Sequence, residues 1–125
     1  MKHNIEYDQN IINALKALPV PLKTFDNHNV YFDKDKRNET IFEHVGNKKH
    51  RLHIADIKVI PSIFAKKESL KKDRSGKNFR TYIGKRGKTK EKSKFLKIIT
   101  RVYTNKKESI LSIYPVKNID SLSRR

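Results

Sequence analysis

Residues 38–64 read NETIFEHVGNKKHRLHIADIKVIPSIF, and their reading decides the fold. His44, His50 and His53 stand within ten residues, among Ile41, Phe42, Val45, Leu52, Ile54, Ile57, Val59, Ile60, Ile63 and Phe64. Asn38 is placed to cap a short helix that turns Ile41, Phe42 and Val45 inward, with Glu39 complementing the dipole of its first turn. Gly46-Asn47 is a helix stop. His44 then falls in the last helical turn and His50 beyond it. The two rings can meet across the loop, whereas on one continuous helix a separation of six would keep them off a common face. From Leu52 onward the spacing of Ile54, Ile57 and Ile60 is helical. Pro61 predicts a kink, or a new helix with Pro61 at its first position. Ile63 and Phe64 extend the apolar face, and the segment is expected to end near Leu70.

On the N-terminal side, residues 1–7 read as a loose arm. Asp8 can cap a helix carrying Ile11, Ile12, Leu15 and Leu18, closed by Pro19 and Pro21. Asp26-Asn27 is turn chemistry, Val30-Tyr31-Phe32 is β-prone, and 33–37 is a polar loop. On the C-terminal side, DRSGK is a turn. NFRTYI (78–83) alternates as a strand with Phe79, Thr81 and Ile83 on one face and Arg80 and Tyr82 on the other. GKRGKTKEKSK is a basic loop able to clamp a backbone; it lacks the spacing of a Walker or dinucleotide motif.

Phe95 to Thr104 and Ser109 to Val116 are the clearest strands, and Asn105 to Glu108 makes them a hairpin. A four-residue loop pairs Thr104 with Ser109, Arg101 with Ser112 and Ile99 with Tyr114. Parity puts Leu96, Ile98, Thr100, Val102, Leu111 and Ile113 on a core face. Lys97, Ile99, Arg101, Tyr103, Ser112 and Tyr114 share the other. The tail, DSLSRR, reads as frayed.

The chain of 125 residues is long enough for one domain with a modest core: 35% of its residues are apolar and 34% charged. Its formal charge of +17 suits nucleic acid, an anionic membrane or an acidic protein. Most of that charge lies in residues 66–107, with 17 Lys or Arg against 3 acids, a net of +14. This imbalance favours a nucleic-acid backbone over an ordinary solvated lysine surface. Cysteine is absent, which excludes disulfides and thiolate zinc sites. H-x5-H-x2-H without cysteine matches no standard zinc site, so neither a metal nor a cofactor is expected. The start carries no secretory pattern, and no run of about 18 apolar residues exists to span a membrane. A cytoplasmic site of action is the expectation.

Two histidines beside a basic sheet suit metal-independent RNA cleavage. One imidazole can take the proton of a 2′-hydroxyl while another supplies one to the departing 5′-oxygen. Cations must hold the phosphate charge, and Lys97, Arg101 and Arg80 are the candidates, with Ser112, Tyr114 or Tyr82 orienting it. Lys85, Arg86, Lys88 and Tyr103 complete the expected nucleic-acid contacts. The competing account makes the histidines a chance cluster on a basic, non-catalytic nucleic-acid-binding protein of a phage or mobile element. A metal-dependent DNA nuclease is disfavoured by the lack of clustered carboxylates.

The segment FEHVGNKKHRLHIADIKVIPSIFAKKESL resembles the opening of the barnase–EndoU–colicin–RelE (BECR) nucleases, in particular their phage-associated PBECR branch. Glu43-His44-Val45 and Lys49-His50 match the histidine-bearing helix, and Ile57 to Phe64 the helix that ends near a proline. Tyr82, Phe95 to Tyr103, and Ser112-x-Tyr114 match the basic sheet with its late hydroxyl–aromatic pair. Ser112 stands where threonine is common, and His53 departs from the pattern. The likeness covers 38–117, leaving 1–37 as an added helical or extended element and 118–125 as a tail within one domain. It implies an α+β fold with N-terminal helices packed on a four-stranded antiparallel β-sheet. It also implies endoribonuclease activity, toxin or mobile-element biology, catalytic roles for His44, His50, Lys97, Ser112 and Tyr114, and no metal. Expected partners are RNA, transfer RNA among the candidates, and an acidic inhibitor or immunity protein, with no membrane.

Overall fold

The structure, a computed structural model, describes residues 6–33, 40–74 and 78–117. Helix α1 (Gln9–Lys16) starts at Asp8, whose carboxylate accepts from the Asn10 and Ile11 amides. Its buried stripe of Ile11, Ile12 and Leu15 follows the helical period. Residues 6 and 7 are tied down rather than loose: Tyr7 bridges to Asn47, and the Lys48 amide donates to the Glu6 carbonyl. Helix α2 (Ile41–Val45) begins with a capping box between Thr40 and Glu43 and stops at Gly46. Thr40 takes the capping role expected of Asn38, which lies outside the described residues.

Helix α3 (Ile54–Ala65) runs through Pro61 without a break and ends five residues short of Leu70. Its buried face (Ile57, Ile60, Ile63, Phe64) continues past the proline, so tertiary burial outweighs the lost backbone hydrogen bond. Leu70 instead opens a strand.

The fold is α+β. Among the described residues one six-stranded sheet has the order β1-β2-β6-β5-β4-β3, with β1 (Leu22–Lys23), β2 (Asn29–Phe32), β3 (Leu70–Arg74), β4 (Phe79–Lys85), β5 (Phe95–Tyr103) and β6 (Lys107–Val116). The expected four strands are corrected to six. Four consecutive antiparallel strands, β3 to β6, form one side of the sheet. The extra pair comes from residues 22–32, where β2 joins β6 in parallel over Asn29–Phe32. The hydrophobic core lies between the helices and one sheet face and includes Ile11, Leu15, Ile41, Val45, Ile57, Ile60, Phe64, Tyr82, Leu96, Ile98, Ile110 and Ile113.

The β5–β6 hairpin departs from the expected register. Its turn occupies residues 104–106, with Lys106 in the left-handed region at φ 59°, and Tyr103 pairs with Lys107. Arg101 therefore faces Ser109. A bulge next to Leu111 then shifts the pairing, so that Ile99 faces Ser112 and Lys97 faces Tyr114. Each expected pair slips, yet the slip beyond the bulge is even, so Ser112 and Tyr114 keep their face. Ile110 takes the core place assigned to Leu111.

The sheet is held close to α3 at Gly84. A Cβ there would lie 2.6 Å from Cγ1 of Ile63. Gly84→Ala is expected to destabilise by about 1–3 kcal/mol through overpacking. Denaturant unfolding checks this: the cost shrinks when Ile63→Ala is introduced in the same chain, a coupling expected only of groups in contact.

Candidate functional site

The site begins with the chain reversal after α2. Gly46 ends the helix, and Asn47 caps a short 3-10 turn (Lys48–His50) by accepting from the Lys49 amide at 3.1 Å. Arg51 adopts a left-handed conformation, φ 54°, and turns the chain toward α3. This folds His50 back over the end of α2. Its Nδ1 lies 3.2 Å from the Val45 carbonyl. A carbonyl only accepts, so Nδ1 carries the hydrogen that points to Val45. The His44 and His50 rings meet edge-on, with centroids 6.0 Å apart and planes at 79°.

The facing wall is the C-terminal half of β6. Strand β2 covers only Lys107–Ile110, so Ser112, Tyr114 and Pro115 lie at the sheet edge beside α2. Together with the histidines they line a cleft of about 830 Å³ whose remaining walls are Lys49, Arg51, Arg86 and residues 90–93. Four of the five expected catalytic residues (His44, His50, Ser112, Tyr114) thus share one cavity. Arg86 and Glu91 tie the histidine segment to α3 and the basic loop. The Arg86 guanidinium donates twice to Asp56, at 3.0 and 2.8 Å, and also to the carbonyls of Ser93 and Arg51, each at 2.9 Å. Glu91 lies 3.5 Å from Arg51 and 3.7 Å from His53. The basic loop is thereby anchored to both the α3 N-terminus and the histidine segment.

Other expected site residues are placed elsewhere. Arg86 lines the cleft, but its charge is buried against Asp56 and serves the frame rather than a nucleic-acid backbone. Lys97 is buried beside Tyr114 and outside the cleft lining, with Nζ 5.6 Å from the Tyr114 ring centroid, so it bears on that ring. Arg101 and Tyr103 are exposed toward the far end of the same sheet face, while Lys85 and Lys88 are exposed outside the cleft lining. His53 caps α3, its amide donating to Asp56 at 2.8 Å.

Arg80 and Tyr82 require the largest correction. Both point to the helix side of the sheet and are buried there around Glu108, which is fully buried itself. Glu108 accepts from Arg80 at 2.9 Å, Thr100 at 2.8 Å, Tyr82 at 2.9 Å and His28 Nδ1 at 2.8 Å. Arg80 also pairs with Asp26 at 2.7 Å and Asp73 at 3.3 Å. Burial pushes the Tyr82 hydroxyl up, and the Glu108 charge pushes it further. Burial alone would lower Arg80; hydrogen bonds to Asp26 and Tyr82 and the nearby negative charge reverse this and hold it protonated. Ligand atoms of Asp26, His28 and Glu108 lie within 4.8 Å of one another, but Arg80 already supplies the positive charge between the two carboxylates. The cluster is structural.

Sequence reading missed Lys49, Arg51, Lys90, Lys92 and Ser93 as cleft residues, although it singled out the basic loop as a clamp. It also missed His28 and Glu108. Glu108 fell in the presumed hairpin loop, and only the shorter turn brings it into the strand.

Comparison with protein-family models, curated proteins and solved structures finds no significant match to this chain.

Removing Arg86 leaves Asp56 buried without its cation. Arg86→Ala is expected to cost about 3–5 kcal/mol in denaturant unfolding, and Asp56→Asn in the same chain to recover part of it. The Arg80 hydrogen bond holds the Asp26 carboxyl down at about 2, against an ordinary 3.8. A depressed carboxyl stabilises the fold above its ordinary value and loses that contribution as pH falls through its folded value. Asp26→Asn should therefore be less stable than the parent at neutral pH, by on the order of 1 kcal/mol given its partial exposure. The difference should shrink between pH 3.8 and about 2 in acid-unfolding curves.

Proposed function

We propose that this chain is a metal-independent endoribonuclease, a toxin or mobile-element effector of the BECR kind acting on cytoplasmic RNA. The observation that carries the reading is the edge-on pair His44 and His50 in a cleft that also holds Ser112, Tyr114 and several cations. His50 takes the proton of the 2′-hydroxyl, its ring oriented by the Val45 carbonyl. The 2′-oxygen forms a bond to phosphorus as the bond to the 5′-oxygen breaks. Protonated His44 gives its proton to that leaving oxygen. The products are a 2′,3′-cyclic phosphate and a 5′-hydroxyl.

Lys49, Lys90 and Lys92 bring positive charge to the phosphate in place of Lys97, Arg101 and Arg80. Ser112 and Tyr114 orient it through their hydroxyls. The resemblance to BECR nucleases supports the assignment through Glu43-His44-Val45, Lys49-His50 and Ser112-x-Tyr114, and the antiparallel run β3 to β6 is compatible with it. Substrates would include transfer RNA, and a toxic nuclease calls for an acidic inhibitor or immunity protein. An excess of positive charge on the cleft walls suits fast, salt-sensitive capture of either partner. Among the described residues no helix is long and apolar enough to cross a membrane.

The decisive assay mixes purified protein with total RNA in excess EDTA. Cleavage leaving cyclic-phosphate ends is expected, lowered by on the order of 10²–10⁴ in His44→Ala and in His50→Ala. RNA bound but left whole by the parent protein would overturn the catalytic reading.

A further inference from the structure

The sheet face that carries Ser112 and Tyr114 continues past the cleft. Register places Lys97 beside Tyr114 at the cleft end, then Ile99 beside Ser112, then Arg101 beside Ser109, and Tyr103 beside Lys107 at the far end. Phe79 flanks Arg101 on β4, and Tyr31 flanks Ser109 on β2. From Lys97 to Tyr103 this path is about 20 Å long at the usual rise of an extended chain.

Two large aromatic side chains on this face are exposed. Phe79 is 39% exposed and Tyr103 is 40%. Each is flanked by a cation. The Arg101 guanidinium lies 5.7 Å from the Phe79 centroid, and Lys107 Nζ lies 5.6 Å from Tyr103 and 5.2 Å from Tyr31. Here rings and cations alternate across four adjacent strands, β2, β6, β5 and β4. Flat apolar rings offer stacking surface to any base, and neighbouring cations offer charge to the phosphates between bases. Duplexes conceal their base faces, so this arrangement discriminates for unpaired strands.

We propose that this sheet face is a binding track for single-stranded nucleic acid, with bases stacked on Phe79 and Tyr103, Tyr31 flanking them, and phosphates met by Arg101 and Lys107. The track leads toward Ser112 and Tyr114, so the strand it holds enters the cleft. The inference rests on the nuclease reading only for the strand being RNA that is to be cut; the binding itself does not require His44 or His50.

The test uses the full chain and a fluorescent 2′-O-methyl RNA of low structure, which has no 2′-hydroxyl to attack. Anisotropy should show tighter binding to this strand than to a duplex of equal length. Phe79→Ala and Tyr103→Ala should each weaken single-strand binding on the order of tenfold and alter duplex binding little. Phe79→Trp and Tyr103→Trp, which keep a stacking ring, should hold affinity near the parent's. Circular dichroism confirms that each variant is folded. Equal affinity for strand, duplex and polyglutamate, or no loss in the alanine variants, would overturn the proposal in favour of plain charge attraction. The nuclease reading fails separately: ordinary RNA left whole while ring-dependent binding persists would remove the catalytic step and leave the track standing.

Discussion

The buried pair Arg86–Asp56 is the interaction on which the cleft depends. Asp56 sits in the first turn of α3, where its carboxylate also receives the His53 amide. Arg86 follows β4 directly and reaches from there to carbonyls in both the basic loop and the histidine segment. One guanidinium thus fixes a helix start, a strand end and two loops at once. A buried ion pair is a weak source of net stability, because desolvation offsets most of its attraction. Its value here is geometric. The planar fork satisfies four acceptors in fixed directions, which lysine cannot do. Gly87 completes the junction: a Cβ there would lie 2.6 Å from the Ala55 carbonyl oxygen, so the loop lies directly on the helix backbone.

The second buried cluster, around Glu108, does comparable work across the sheet. It joins β4, β5 and β6 to the turn between β1 and β2 through Arg80, Thr100 and Asp26. A fully buried carboxylate is tolerable only when its lone pairs are met, and four side chains donate to Glu108. The N-terminal residues are therefore wired into the same sheet as the histidine segment.

Local signals made the histidine geometry legible in advance. A helix stop at Gly46 between His44 and His50 is a short-range feature, and short-range features survive translation from sequence to structure. The hairpin faces were legible over β5 and over Ser112 to Tyr114, where an even slip preserves the alternation; between the turn and the bulge the slip is odd, and Ile110 replaces Leu111 in the core. What alternation cannot say is which face of a polar strand meets the core. Arg80 and Tyr82 were assigned outward on chemical type, and their burial depends on Glu108, a partner that only the true turn length reveals. The parallel pairing of β2 with β6 was equally hidden, since the two strands are some eighty residues apart along the chain and no local pattern announces it. Pro61 misled for the opposite reason, a strong local signal overruled by burial on both sides of it.

The two buried arginines cast light on how so basic a chain stays folded. Arg80 and Arg86 pair with four of its acids, Asp26, Asp73, Glu108 and Asp56, and Glu108 and Asp56 are fully buried. Every acid enclosed in this way is one fewer at the surface to shield the lysines outside. Frame and contact surface therefore rely on different chemistry: guanidinium forks hold the interior, and primary amines carry much of the outward charge. An amine-selective acylating reagent would act on the outer lysines, weakening attraction to polyanions while the scaffold kept its shape.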